Sequence, residues 1–252
     1  TSPCSGKALG MTPEPTRLVL PTPRAVADAA AAHLLRRIDE VLARDPEAQL
    51  ALTGGSLGSA LWRSILDDPR SELIDWSRVR VWWGDERWLP AGNPDRNDTQ
   101  NDAAGLERLG LDPAMVHRVL GPDQVSTAEE SAAAYAATIK AHGKGSWDVV
   151  LLGMGPDGHI ASLFPRHPAQ RVTDALTVAV HDSPKPPPTR VSLTFECLER
   201  TRPVLLLVAG AEQADAVAAA HRPGVTGWDV PASVPRGSRE TVWFLDMAAA
   251  GP

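Results

Sequence analysis

Cysteine is nearly missing from this 252-residue chain, which has only Cys4 and Cys197. Two thiols, one of them close to the start of the sequence, cannot build a disulfide framework or a cysteine metal cage, and a reducing, cytoplasmic setting is the default expectation. Long apolar runs are missing too: no stretch reaches the ~20 residues needed to cross a bilayer, so no membrane partner is expected. Thr1 to Pro15 lack the apolar core of a signal peptide and read as a loose tail or an expression remnant, which leaves 16–252 as one domain. Lys and Arg number 25 against 31 Asp and Glu, a net charge of −6, and form no cluster. Such a surface has no general attraction to a phosphate backbone, so nucleic acid is not an expected partner.

What is present has a regular order. Hydrophobic residues make up 43% of the chain and charged residues 22%, as in soluble globular proteins. Arg17 to Pro21 reads as a strand, and Val26 to Leu42 as a helix with Val26, Ala30, Leu34, Ile38, Val41 and Leu42 on one stripe. Gln49 to Leu52 is a second strand, followed by a helix from about Leu57 to Leu66. Val79 to Trp83 is a third strand, after which a polar loop over 93–101 leads into a short helix near Leu109. Val116 to Leu120 reads as a fourth, edge strand, Thr127 to Ala141 as an alanine-rich helix, and Trp147 to Leu152 as the central strand. Leu176 to Val180 and Arg190 to Leu193 read as short extended pieces around Ser183 to Pro188, a stiff polyproline segment. Val204 to Val208, a helix over 212–220 and Thr241 to Leu245 complete the chain. This alternation predicts an α/β fold: one mostly parallel sheet with helices on both faces, a modified Rossmann-like arrangement in a single domain, with no internal repeat.

Three loops at the ends of strands carry the chemistry. The run Val149 to Pro165, VVLLGMGPDGHIASLFP, stops at two glycines and then places Asp157 and His159 close together. Ligands of parallel α/β sheets bind at the carboxyl ends of the strands, where these two residues are expected. The same stretch matches the GxGxxG dinucleotide pattern. However, Asp157 would oppose the pyrophosphate, and Pro165 would cut short the helix meant to hold it. Gly54-Gly55-Ser56-Leu57-Gly58 matches the nucleophile elbow GxSxG, but too few strands precede it for that fold. Gly54, Gly55 and Ser56 suit an anion received by backbone amides at a helix start. Asp85, Glu86 and Arg87 follow the third strand, and Arg87 has the planar fork that grips phosphate. Arg190 is a candidate second phosphate ligand. A metal site would need further ligands, and His167 is the only imidazole near the Asp157 loop, so no metal is expected. His117, His142, His181 and His221 read as surface or loop residues.

Four segments, LTGGS at 52–56, WGDER at 83–87, LLGMGPDGHIASLFP at 151–165 and PPPTRVSLT at 186–194, together resemble the 6-phosphogluconolactonase family, from about Arg17 to Leu245. The fold of that family is shared with glucosamine-6-phosphate deaminase, the main competitor. In the deaminase an Asn-Glu-Pro follows the Asp-Gly-His, and its glutamate joins a proton relay. Leu163-Phe164-Pro165 stands here instead, and a phenyl ring cannot transfer protons. The resemblance implies hydrolysis of a phosphosugar lactone without cofactor or covalent intermediate, by a chain expected to be a monomer. His159 would be the general base and Asp157 its orienting partner. Arg87, Arg190 and the Gly54, Gly55, Ser56 loop would hold the 6-phosphate, with Asp85 and Asn97 contacting sugar hydroxyls. A deaminase and a non-catalytic phosphosugar-binding domain are the alternatives.

Overall fold

Capping and apolar spacing make the first helix legible at atomic detail. In the computed structural model, which describes residues 12–251, Thr22 accepts a hydrogen bond from the Ala25 amide and Pro23 opens the first turn, so α1 (Pro23–Leu42) begins where a strand, β1 (Thr16–Leu20), has just ended. Of the predicted stripe, Val26, Ala30, Leu34, Ile38 and Val41 are buried, while Leu42, at the last turn, is only partly covered. Most of the expected tail, with Cys4, lies outside the described residues, and the described part, 12–15, has no regular structure.

The remaining elements follow in βα order. They are β2 (Ala48–Leu52), α2 (Gly55–Asp67), β3 (Val79–Trp83), β4 (Asp85–Arg87), α3 (Asn97–Ala103), α4 (Ala128–His142) and β5 (Val149–Gly153). After these come β6 (Thr177–Val180), β7 (Arg190–Leu193), α5 (Phe195–Leu198), β8 (Pro203–Val208), α6 (Ala214–Ala220), β9 (Glu240–Asp246) and α7 (Met247–Ala250). Six strands form one parallel sheet in the order β1-β9-β8-β5-β2-β3. Alternate side chains enter two cores: Leu50, Leu52, Val149 and Leu151 pack with α1 and α2, while Ala51, Val150 and Leu152 pack with Tyr135 and Ile139 of α4. Cover on both faces is why these strands are continuous apolar runs; all six residues of β8 are buried. Each fully buried Leu or Val contributes ~1.5–3 kcal/mol relative to exposure.

Three expectations need correction. Val116 to Leu120 is not a strand. It makes one bridge, Val116 to Val81, and a bond from the His117 amide to the Val81 carbonyl. It then leaves the edge, with the Arg118 side chain turned to Asp102. The polar loop over 93–101 is already helical from Asn97, while the short helix expected near Leu109 is present as a separate 3-10 turn, Leu106–Leu109. A second, antiparallel sheet, β4-β7-β6, also stands beside the parallel one, and WGDER supplies its first strand. Gly84 is the corner between the sheets, donating to the Leu52 carbonyl and accepting from the Leu193 amide, both at 2.8 Å.

β2 has β3 on one side and β5 on the other, so the chain reverses its direction of travel across the sheet at the β2/β5 pair. The crevice beyond the carboxyl ends of these two strands is where an open α/β sheet presents ligands.

Candidate active site

The crevice is a cleft of about 220 Å³ lined by Gly54 and Gly55, Asp85 and Arg87, Asn97, Gly155 and His159, and Arg190; of the predicted site residues, Ser56 lies outside this lining, beside Pro23 and Arg24, and Asp157 stands behind His159. The two main loops are fastened together where the strands end, because the Gly153 amide donates to Thr53 Oγ1 at 3.1 Å. A larger cavity of about 610 Å³, lined by Gln49, Lys140, Lys144 and Trp147, lies at the start of β2 and β5 and contains none of these loops.

After β5 the chain turns tightly, with the Gly158 amide bonded to the Gly155 carbonyl and the Gly155 amide to the His159 carbonyl. This turn brings the Asp157 and His159 side chains together, His159 Nδ1 to Asp157 Oδ1 at 2.5 Å. Glycine is required at 155, since a Cβ there would lie 2.1 Å from His159 Cε1. Burial works to raise the Asp157 carboxyl, but the bond to His159, their mutual attraction and the nearby Lys185 outweigh it and hold the group below the ordinary carboxylate range. A charged carboxylate on Nδ1 fixes the tautomer with the proton on that nitrogen. Nε2, without a protein partner among the described residues, is then the basic lone pair facing the cleft. Phe164, 1% exposed, packs on the ring at 4.5 Å between centroids, so the position that could have carried a relay carboxylate is apolar.

Across the cleft, Gly54 is the N-cap of α2 and provides no side-chain bond, which leaves the first-turn amides of that helix free for an anion. A Cβ at Gly54 would lie 1.9 Å from Asn97 Oδ1. Ser56 is exposed and bonds to no histidine among the described residues, so nothing activates it as a nucleophile. Asn97 is 2% exposed; its Nδ2 donates to the Asp85 carbonyl at 2.8 Å, while its buried Oδ1 has no partner among the described residues. Asp85 Oδ2 accepts from Ser162 Oγ at 2.6 Å.

The charged residues of WGDER do not gather at one place. As alternation along a strand requires, Asp85 and Arg87 line the cleft while Glu86 points away from it and is buried. Arg87 donates from Nη1 to the Asp95 carbonyl at 2.6 Å. Arg190, also in the lining, is partly engaged: its Nε and Nη2 bond to the carbonyls of Lys185, Pro186 and Pro187 at 3.2–3.3 Å, and Nη1 lies 3.9 Å from Asp85 Oδ2. These bonds fold Ser183–Pro188 into a turn closed from the Ser183 amide to the Pro188 carbonyl, not an extended polyproline rod. Lys185, at the tip of that turn, lines the cleft with no bond from its ammonium among the described residues. Sequence reading passed it over, although it sits inside the proline run and is its only cation. Gln213, before α6, also lines the cleft, and no pattern marked it.

The histidine readings divide. His142 and His181 are exposed, as expected. His117 and His221 are half-buried, stacked on Trp82 and packed on Trp243 respectively.

Comparison with known proteins agrees with this geometry. The profile of the family described as glucosamine-6-phosphate isomerases/6-phosphogluconolactonase matches residues 21–243. The chain belongs to this family. A 6-phosphogluconolactonase of Streptomyces coelicolor is 45% identical over 234 residues, 89% of each chain. One of Mycobacterium tuberculosis is 40% identical over 92% of this chain and 96% of its own. Among solved structures, the 6-phosphogluconolactonase of Trypanosoma brucei superposes with a TM-score of 0.81 at 26% identity, covering 94% of this chain and 98% of that one. The family match spans all the loops that build the cleft, from the α2 start to the Lys185 turn.

Proposed function

We propose that this protein hydrolyses 6-phospho-D-glucono-1,5-lactone to 6-phosphogluconate, the second step of the oxidative pentose phosphate branch. The observation that carries the reading is the His159–Asp157 pair with Nε2 open to a cleft that also holds Arg87 and Lys185. Nε2 takes a proton from a water as the water oxygen attacks C1. The C1–O5 bond then breaks, and the imidazolium returns the proton to the leaving O5. Asp157, held ionised, stabilises the imidazolium between these steps. The reaction needs neither cofactor nor covalent nucleophile, since a lactone carbonyl is already electrophilic. The 6-phosphate is gripped by the first-turn amides of α2 with Lys185 and Arg87, and this remote binding sets C1 against the water. Asn97 Oδ1, the buried acceptor without a partner among the described residues, takes a sugar hydroxyl. Arg190, in the same lining, shapes the Lys185 turn through Nε and Nη2 and offers Nη1 to the phosphate. The same reading includes a monomeric, cytoplasmic enzyme of one domain.

Phe164 against His159 favours this chemistry over sugar-ring isomerisation and deamination, which need a proton relay at that point. The test generates the lactone in place from glucose 6-phosphate, NADP and its dehydrogenase, and follows lactone loss above the spontaneous rate in the presence of chelator. Acceleration is expected. Folded protein that gives none, but releases ammonia from glucosamine 6-phosphate, would reverse the assignment.

A further inference from the structure

The three residues of β4 divide their work. Asp85 and Arg87 reach the cleft, while Glu86, 1% exposed, turns the other way toward the start of α3. There its Oε1 accepts from two backbone amides at once, Arg87 at 2.8 Å and Asn97 at 2.7 Å. Oε2 accepts from the Asp98 amide at 2.9 Å. Residues 88–96 form the loop between these amides, so one carboxylate oxygen closes both ends of the segment that carries Arg87 and Asn97. The N-cap residue of α3, Arg96, makes no capping bond. Its guanidinium is spent on the Asp98 carboxylate and on the carbonyls of Leu89 and Val119.

Charge pairing does not explain the placement of Glu86. Its nearest guanidinium nitrogen, on Arg96, is 3.8 Å away, whereas Asp98 meets the same nitrogen at 2.8 Å. Three backbone amides at 2.7–2.9 Å, against one distant cation, identify a carboxylate whose role is to place main chain. Burying it is costly: burial, then the neighbouring Asp98 charge, push its carboxyl up, while Arg96 and the amides of Asp98 and Asn97 favour the ionised form. The chain tolerates this cost next to its cleft.

We propose that Glu86 is a positioning residue, which fixes Arg87 relative to Asn97 and so sets the affinity of the cleft for the phosphosugar. This rests on the lactonase reading given above. Glu86→Gln keeps one oxygen for the shared pair of amides but turns an NH₂ group toward the Asp98 amide, so one bond is replaced by a donor–donor contact. The expected result is a KM for the lactone raised about tenfold, with product affinity weakened equally and kcat within about twofold. Asp98→Asn loosens the same buried cluster without removing an acceptor from the Arg87 or Asn97 amide. It is expected to lower Tm and leave KM unchanged.

Wild-type turnover in the same assay tests the lactonase reading separately. With that established, a folded Glu86→Gln protein of unchanged KM would overturn the proposal, as would an equal KM rise in Asp98→Asn. If Glu86→Gln is not recovered folded, Glu86→Asp, which keeps the charge but withdraws the oxygens by about 1.5 Å, is measured in its place. Failure of both to fold would assign Glu86 to folding alone and overturn the positioning role.

Discussion

His159 and His117 each lie against an aromatic ring and each point one nitrogen at a charged side chain. At His159 the ring is Phe164 and the partner is the Asp157 carboxylate, bonded to Nδ1. At His117 the ring is Trp82, stacked at 4.0 Å, with His142 on the other side at 5.1 Å, and the partner is Arg80, whose Nη1 meets Nε2 at 2.7 Å. The sign of the partner decides what each imidazole can do. A carboxylate takes up the N–H of His159 and leaves a lone pair facing the cleft. A guanidinium is itself a donor, so the lone pair of His117 is consumed and no basic nitrogen remains to accept a proton from substrate water. Burial, followed by Arg80 and His142, pulls His117 down to about 4. One histidine is prepared for proton transfer, the other for packing.

The largest effect is expected from His159→Ala, which removes the base while leaving the phosphate grip intact. Turnover should fall ~10²–10⁴-fold with 6-phosphogluconate still bound, measured by the coupled lactone assay and by calorimetry. Asp157→Asn keeps the shape but not the charge that selects the tautomer and supports the imidazolium. Its kcat should drop ~10–100-fold with KM little changed. Lys185→Ala leaves the dyad whole and removes one cation from the cleft. A KM about tenfold higher, with kcat within about twofold, is the expected reading.

The smallest effect on catalysis belongs to the other histidine. His117→Gln should leave turnover within about twofold of wild type and act on stability instead. Because the folded state holds His117 near 4 while an unfolded imidazole titrates near ~6.5, the unfolded chain binds the extra proton first. Stability from this site is therefore complete above about 6.5 and lost as pH falls toward about 4. In thermal melts between pH 7 and pH 4, wild type should lose more Tm than His117→Gln. A parallel loss in both proteins, or a large loss of turnover in His117→Gln, would remove the contrast.

The sequence made visible what depends on local pattern and on fixed covalent spacing. Continuous apolar runs such as Val204 to Val208 announced buried parallel strands, and the Asp157-Gly158-His159 spacing brought two side chains together through a single turn. Asp85 to Arg87 was quoted as a motif but not recognised as a strand, because its partner in the antiparallel sheet, Arg190–Leu193, lies about a hundred residues away and pairing at that range leaves no local period. Contacts made at a distance also shape what Arg190 can do. An arginine beside a proline turn looks wholly free in sequence, but here the turn's own carbonyls take its Nε and Nη2 donors, while Nη1 stays on the Asp85 side and Arg190 and Lys185 both line the cleft. Val116 to Leu120 has the composition of a strand, yet only Val116 and His117 meet the sheet edge, both at Val81.

The central claim is that Nε2 of His159 takes a proton from water, and chemical rescue tests it most directly. In His159→Gly, with the absence of the ring confirmed and product affinity retained, added imidazole should restore lactone hydrolysis in a saturable way, as the free base occupies the space beside Asp157. Rescue absent at every imidazole concentration, in folded protein that still binds 6-phosphogluconate, would contradict the general-base role and move the search for the proton acceptor elsewhere in the cleft.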